Sequence, residues 1–289
     1  MITRRLPVLN ALLTASLFVT LAACSSSTTT TETDLASTTI QQSASATTKA
    51  SETPSAQASA VPQTESTAAP TEAVSSKQLY RMTDAYRFVP IDEAASDKAV
   101  LLTFDDGPNK ETIIDSLLTT LDKHKAKAIF FVNGYRVKQN PELLKLIQDR
   151  GQPIGNHAWD HNNLKEASDD VVKQQIGDVQ DEVKRLTGTA PLFFRPPYGA
   201  GNDIVKQTAK DHGMLYMTWS NGSLDWEKPA RDNPAEVIRN VMEQLHPGAN
   251  ILMHELQWTA DALDELLTKL EKEGYTFIDP ATISPIPYT

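Results

Sequence analysis

The spacing of hydrophobic and polar positions divides this chain into three stretches. Near its start, Arg4 and Arg5 precede a mainly apolar run, Ala11–Leu21, closed by the small residues Ala22 and Ala23. From Ser25 to about Lys77 no periodicity is visible. Ser and Thr dominate there, with Ala, Pro, Gln and Glu between them and no aromatic residue. From about Tyr80, aromatics and periodic apolar positions arrive together. Short β-rich runs then recur at Ala99–Phe104, Ala128–Val132, Pro153–His157, Phe193–Pro197, Leu215–Trp219, Asn250–His254 and Tyr275–Ile278.

Helical patterns with start signals lie between these runs. Asn140-Pro141-Glu142 supplies an N-cap and an N1 proline ahead of Leu143, Leu144 and Ile147. Ser168-Asp169-Asp170 opens an amphipathic stretch through Val171, Val172, Ile176, Val179 and Val183 that stops at Gly188. Asn202 is placed to cap 203–212, Asn233-Pro234 to cap 234–245, and Thr259 to begin a helix through Leu263, Leu266, Leu267 and Leu270. Strands alternating with helices predict one α/β domain, residues 78–289, on a parallel sheet. Periodicity alone leaves a barrel and an open doubly wound sheet as alternatives.

Composition bears mainly on the first two stretches. The apolar run is shorter than the about 20 residues that cross a bilayer, so residues 1–23 read as a secretory signal peptide. Residues 24–77 lack the apolar content that offsets ordering entropy and are expected to form a disordered tether, spanning roughly 40 Å as a flexible coil. With 27 Lys and Arg against 37 Asp and Glu the net charge is −10, and no basic patch is present for nucleic acid or an anionic membrane. Cys24 is the single cysteine, which excludes an internal disulfide and a Cys-rich zinc module. Leu21-Ala22-Ala23-Cys24 resembles the lipobox of bacterial lipoproteins. That resemblance implies cleavage before Cys24, lipidation of its sulfur, and an extracytoplasmic protein held on the cell membrane by its acyl chains.

The polar residues of the third stretch fall where strands end. Asp105 and Asp106 follow the first strand, His157 ends the third, and His161 comes four residues later. Arg195 lies at the end of the fourth, Asp225 in the loop after the fifth, and His254 at the end of the sixth. In a parallel sheet or barrel these positions share the carboxyl-terminal rim. Each also has a plainer reading. Asp106 or Asn109 could cap the next helix, and Arg195 could serve a structural ion pair, although Pro196-Pro197 stiffen the chain beside it. Two histidines four apart would face one way on a helical turn, as metal ligands must. His124, His212 and His246 sit near helix C-termini, where the dipole favours a cation, and are assigned no chemistry. Trp159, Trp219, Trp226 and Trp258 suit a core or a sugar-stacking rim, Trp226 best for the latter. Asp160 and Glu255 are read as supporting or surface positions. Two histidines and a carboxylate suit a divalent cation, zinc or another first-row metal. A free carboxylate and a histidine beside them supply a base and an acid for hydrolysis of an acyl bond.

Five segments in order resemble the motifs of the polysaccharide deacetylase family, the NodB-homology domain of carbohydrate esterase family four. They are Thr103-Phe104-Asp105-Asp106-Gly107-Pro108, Asn156-His157 through His161, Arg195-Pro196-Pro197-Tyr198-Gly199, Asp225-Trp226, and Leu252-Met253-His254. The resemblance covers roughly Lys98 to Pro280 and implies a distorted (β/α)7-type barrel with parallel strands. It implies that Asp106, His157 and His161 bind one divalent cation, most simply zinc, with cobalt or another first-row metal as alternatives. It implies Asp105 as general base, oriented by Arg195, and His254 as general acid, held by Asp225. The Tyr198 backbone N–H would meet the oxyanion, Trp226 the sugar, and Leu252 the acetyl methyl. Ala158 and Asn162 stand where many members have Ser or Thr and Pro, and Glu255 where many have Asp.

The function so implied is removal of N-acetyl groups from N-acetylglucosamine units of an envelope polysaccharide, peptidoglycan above others, by a monomeric enzyme. Alternatives are deacetylation of chitin oligomers or poly-N-acetylglucosamine, O-acetyl esterase action on a polysaccharide, and an inactive glycan-binding lipoprotein.

Overall fold

The computed structural model describes residues 77–285. The expected signal peptide, Cys24 and all of the tether but its last residue lie outside the described residues. Among the described residues no helix is long and apolar enough to cross a membrane.

A parallel sheet forms the centre, in the spatial order β7 (Leu215–Tyr216), β6 (Phe193–Phe194), β5 (Ile154–Asn156), β4 (Ala128–Val132), β3 (Ala99–Gly107), β9 (Ala249–His254) and β8 (Asn221–Gly222). A last strand, β10 (Thr276–Phe277), pairs with Ala99 and Val100 of β3, below the point where β4 begins to pair at Leu102. The two strands ending the row, β7 and β8, are neighbours in sequence, so the sheet curls nearly back on itself. This is an α/β fold of the distorted (β/α)7-barrel type. The predicted seven strands are all present, though β6 and β7 are shorter than expected. The stretch predicted as Leu215–Trp219 stops at Tyr216, and β8 follows as a strand the periodicity did not show.

Alternation along β3 sets the two sides of the sheet. Val100, Leu102 and Phe104 join Phe130, Ile251 and Met253 in a core beneath the helices α1 (Glu111–Lys123), α6 (Pro234–Glu243) and α7 (Gln257–Lys272). Leu101, from the other face, packs inside the barrel with Ile129, Phe131, Phe193, Leu215 and Met217. An antiparallel hairpin, β1 (Tyr80–Met82) with β2 (Phe88–Pro90), contributes Tyr80, Met82 and Phe88 to that interior core. Its three-residue strands carry too little periodicity to be read from the sequence.

The helices follow the predicted apolar spacing. In α4 (Asp169–Thr187), Val172, Ile176, Val179 and Val183 are buried, while Val171 is exposed. The helix ends where Gly188, at φ 81°, donates to Lys184 O. Two shorter helices, α2 (Gly134–Gln139) and α3 (Pro141–Asp149), link β4 to β5. Asn202 caps α5 (Asp203–Asp211) by accepting the Val205 N–H at 3.0 Å. Ser168, Asn140 and Asn233 make no side-chain cap bond. Neither Asp106 nor Asn109 caps α1, whose N-cap is Lys110. Asp106 is thereby left to the rim.

Candidate active site

The inward column of β3 changes character as it rises. Above apolar Leu101 come Thr103 and then Asp105, both buried. The ladder to β4 slips between Asp105 and Gly107, leaving Asp106 out of register at φ 67°. Such a bulge turns two successive carboxylates toward one rim, where strict alternation would send them to opposite faces.

Asp105 is locked from below by Arg195, whose side chain is fully buried inside the barrel. Its Nη1 donates to Asp105 Oδ1 and to Thr103 Oγ1, each at 2.7 Å. Nη2 donates to Thr218 O at 2.8 Å and Asn250 Oδ1 at 3.1 Å. The guanidinium also lies over the Phe131 ring, 4.4 Å from its centroid. Burial pushes the Asp105 carboxyl above the usual carboxylate range, against the pull of Arg195 and His254. Oδ2 takes no part in the Arg195 pair and lies 3.7 Å from His157 Nε2.

The two histidines do not sit on a helical turn, contrary to the expectation from their spacing. His157 follows β5, and the loop beyond passes through Ala158 at φ 61° and His161 at φ 54°. Asn133 steadies that loop by donating to His157 O at 2.8 Å. His157 Nε2 and His161 Nε2 then stand 3.5 and 3.2 Å from Asp106 Oδ1. Burial, outweighing the nearby Asp106 charge, drives the His157 imidazole down to about 3, so it is neutral near pH 7. Its Nδ1 lies 2.7 Å from Arg195 O, an acceptor only, so the proton is on Nδ1 and the Nε2 lone pair faces the aspartate. Asp106 Oδ1 is buried without a hydrogen-bond partner among the described residues. The His157 lone pair facing an unpartnered carboxylate oxygen, with His161 Nε2 beside them, fits a cation, and N,N,O donors suit a first-row divalent ion.

Across the cavity, Asp225 is fully buried and holds His254. Its Oδ2 also accepts from Thr259 Oγ1 at 2.7 Å, and its backbone O from Trp258 Nε1 at 2.7 Å. Thr259, expected to start a helix, instead lies inside α7 and braces this aspartate. Burial alone would lower the His254 pKa. The Asp225 hydrogen bond and charge, aided by Asp105 and Asp106, outweigh it and raise the value to about 9.

These groups surround one cavity of about 390 Å³, with Tyr198, Trp226 and Leu252 on its walls. Tyr198 is 67% exposed at φ 61°, its ring 4.7 Å from that of His161. The Trp226 ring stands edge-on to His254 at 5.2 Å. All ten residues expected at the site are here, eight lining the cavity and Arg195 and Asp225 buried behind Asp105 and His254. Trp219 lines it too. Trp159 packs on Gly134, and Trp258 serves Asp225. The supports Thr103, Asn250, Asn133 and Thr259 are not evident from the sequence; only Thr103, two before Asp105 on one strand, carries a signal there. Glu255, expected as a supporting or surface residue, is buried, with burial pushing its carboxyl up to about 8. A carboxylate and a cationic imidazole on two sides of a cation site can take a proton from water and give one to a leaving group.

Residues 92–217 match the family model for polysaccharide deacetylase. The chain is 40% identical over 189 residues to the peptidoglycan-N-acetylglucosamine deacetylase PgdA of Listeria monocytogenes, a match covering 65% of this chain and 39% of that protein. It therefore spans about two fifths of the length of that relative. It is 33% identical over 205 residues to the peptidoglycan-N-acetylmuramic acid deacetylase PdaA of Bacillus subtilis, covering 70% of this chain and 77% of that one. Its structure resembles that of BA3943 of Bacillus anthracis, a carbohydrate esterase family four pseudoenzyme, with TM-score 0.59, 34% identity and coverage of 62% and 63%. A parallel barrel with these motifs on its rim, and a third of the aligned residues shared along most of one relative, make this chain a member of the polysaccharide deacetylase family.

Proposed function

We propose that this protein is a metal-dependent hydrolase that removes N-acetyl groups from N-acetylglucosamine units of peptidoglycan. The observation that carries it is the pairing, across one cavity, of Asp105 seated on Arg195 with His254 seated on Asp225. Asp106, His157 and His161 would hold a divalent cation, zinc by the donor set, which would supply Lewis-acid polarisation of the acetamide carbonyl and ease deprotonation of water. Asp105 takes the proton from the attacking water on Oδ2, since Oδ1 is engaged by Arg195. The water oxygen bonds to the acetyl carbon, and the charge passing to the carbonyl oxygen is met by the Tyr198 backbone N–H. Leu252 borders the acetyl methyl, and Trp226 stacks on the sugar. The carbon–nitrogen bond then breaks as His254 Nε2 gives its proton to the amine, leaving acetate and a glucosamine unit.

The substrate follows from relatives that act on peptidoglycan and from the lipoprotein-like Cys24 with its tether, which would keep the domain near the wall. The competing reading, a glycan-binding protein without turnover, draws on the similarity to the Bacillus anthracis pseudoenzyme. Released acetate and new free amines, measured on purified cell wall and on chitin oligomers with and without added zinc, separate the two. Zinc-dependent release of both products in equal amounts is expected, and no release from any glycan would leave the binding reading standing.

A further inference from the structure

Beside the active-site cavity lies a second one of about 260 Å³, with Asp106, Trp226 and His254 common to both linings. Among its other walls, the reaction above gives no role to Arg136, Arg231 and Glu255, while Trp258 also braces Asp225. Glu255 is 3% exposed; its Oε2 accepts the Asn109 N–H at 3.1 Å, while Oε1 is buried with no hydrogen-bond partner among the described residues. Arg136 Nε is buried and unpartnered in the same way. Arg231 is exposed and has no ion-pair partner among the described residues. Unsatisfied buried polar atoms are rare in folded proteins, and two of them belong to residues that line this cavity.

The charge balance identifies that ligand. Of the two carboxyls in this lining, Asp106 and Glu255, only Glu255 is left to balance Arg136 and Arg231, in a chain of net charge −10. Asp106 directs its Oδ1 to the histidine pair instead. Guanidinium forks match the two oxygens of a carboxylate. The two tryptophans offer apolar faces for a sugar ring.

We propose that this cavity is a subsite for a carboxylate-bearing glycan unit next to the one being deacetylated, with Arg136 and Arg231 as specificity-determining residues. The inference rests on the deacetylase reading and narrows its substrate to acidic glycans. The carboxylate comes either from an acid ether-linked to the sugar or from an attached peptide.

The test measures kcat/KM of the full-length, zinc-supplemented chain on soluble peptidoglycan fragments with carboxylates free or converted to methylamides. Fragments with and without the peptide distinguish the two sources. The free form is expected to be preferred about tenfold, and the preference to fall toward one in both R136Q and R231Q. Because Arg231 is exposed, R231Q keeps the test decisive should R136Q fold poorly. Acetate release indifferent to the carboxylates, or a preference surviving in R231Q, would overturn the inference and leave the deacetylase reading intact. No acetate from any fragment or from chitin oligomers would remove both.

Discussion

Asp225 grips His254 from two directions: Oδ1 lies 2.7 Å from Nδ1, and Oδ2 accepts the backbone N–H of the same residue at 2.7 Å. The carboxylate thus fixes both the position of the ring and its charge. A pKa of about 9 keeps His254 protonated at neutral pH, so kcat should fall as pH rises through about 9. Asp225→Asn should move that falling limb toward the ordinary histidine value near 6.5. The folded pKa is raised, so the pair's contribution to stability is complete below about 6.5 and lost as pH rises through about 9. Part of the variant's deficit in Tm should accordingly shrink from pH 6 to pH 10. A pH–rate profile unchanged by the substitution would remove Asp225 from this role.

Asp105→Asn should keep the cation and lose about 10²–10⁴ in rate, the usual cost of removing a general base. His157→Ala should lose cation and activity together. Elemental analysis of both purified variants, beside acetate release, checks the division. An empty Asp105→Asn site would mean the two aspartates have exchanged roles.

His254→Ala should impair amide substrates far more than an activated acetate ester. An amine leaves poorly without a proton, whereas a phenolate leaves readily. The same preparation assayed on N-acetylglucosamine oligomers and a nitrophenyl ester gives the comparison. Equal losses would argue against the acid role.

Gly248 holds the β1–β2 hairpin to the barrel. It sits at φ 73°, and a Cβ there would lie 1.9 Å from Phe88 O, which is backbone and cannot swing aside. Its carbonyl also accepts the Phe88 N–H at 2.8 Å. Gly248→Ala should cost about 2 kcal/mol or more, from a left-handed non-glycine residue plus overpacking. Urea unfolding measures it; an unchanged midpoint would show that the hairpin gives way freely.

Cys24→Ser should abolish membrane anchoring as a processed lipoprotein. Two or three acyl chains hold far more firmly than one. Mass spectrometry of the membrane fraction from the unsubstituted protein should find an N-terminal peptide starting at lipidated Cys24. One starting at unmodified Met1 or Ser25 would overturn the anchor and leave the chemistry standing.

Much of the site was legible because its chemistry falls where apolar strand runs stop. Asp105, His157, Arg195 and His254 all mark such ends, and a parallel sheet gathers ends on one rim. The supports were harder to see. Asn250 is an ordinary polar residue within an apolar run, and only the arrival of Arg195 from another strand gives its amide a task. The complete burial of Arg195 depends on partners from β3, β9 and the Thr218 carbonyl, none near it in sequence. For His157 and His161 the spacing of four suggested a helix, while the chain reaches the same convergence through a left-handed loop. Glu255 looked like a supporting or surface residue because Gly107, which leaves room for it, lies on β3, far from it in sequence.

Among the described residues, eight besides glycine have positive φ, and Asp106, Ala158, His161, Tyr198 and Leu224 all belong to the segments that build the site. Each such conformation costs on the order of 1–3 kcal/mol, repaid by the surrounding fold. Heat resistance and turnover therefore draw on the same reserve. Directed evolution for thermal tolerance alone should relax these five positions early, yielding hardier proteins that have stopped being catalysts. A screen that keeps acetate release as its second criterion should find its gains elsewhere, in the helices on the outer face of the barrel.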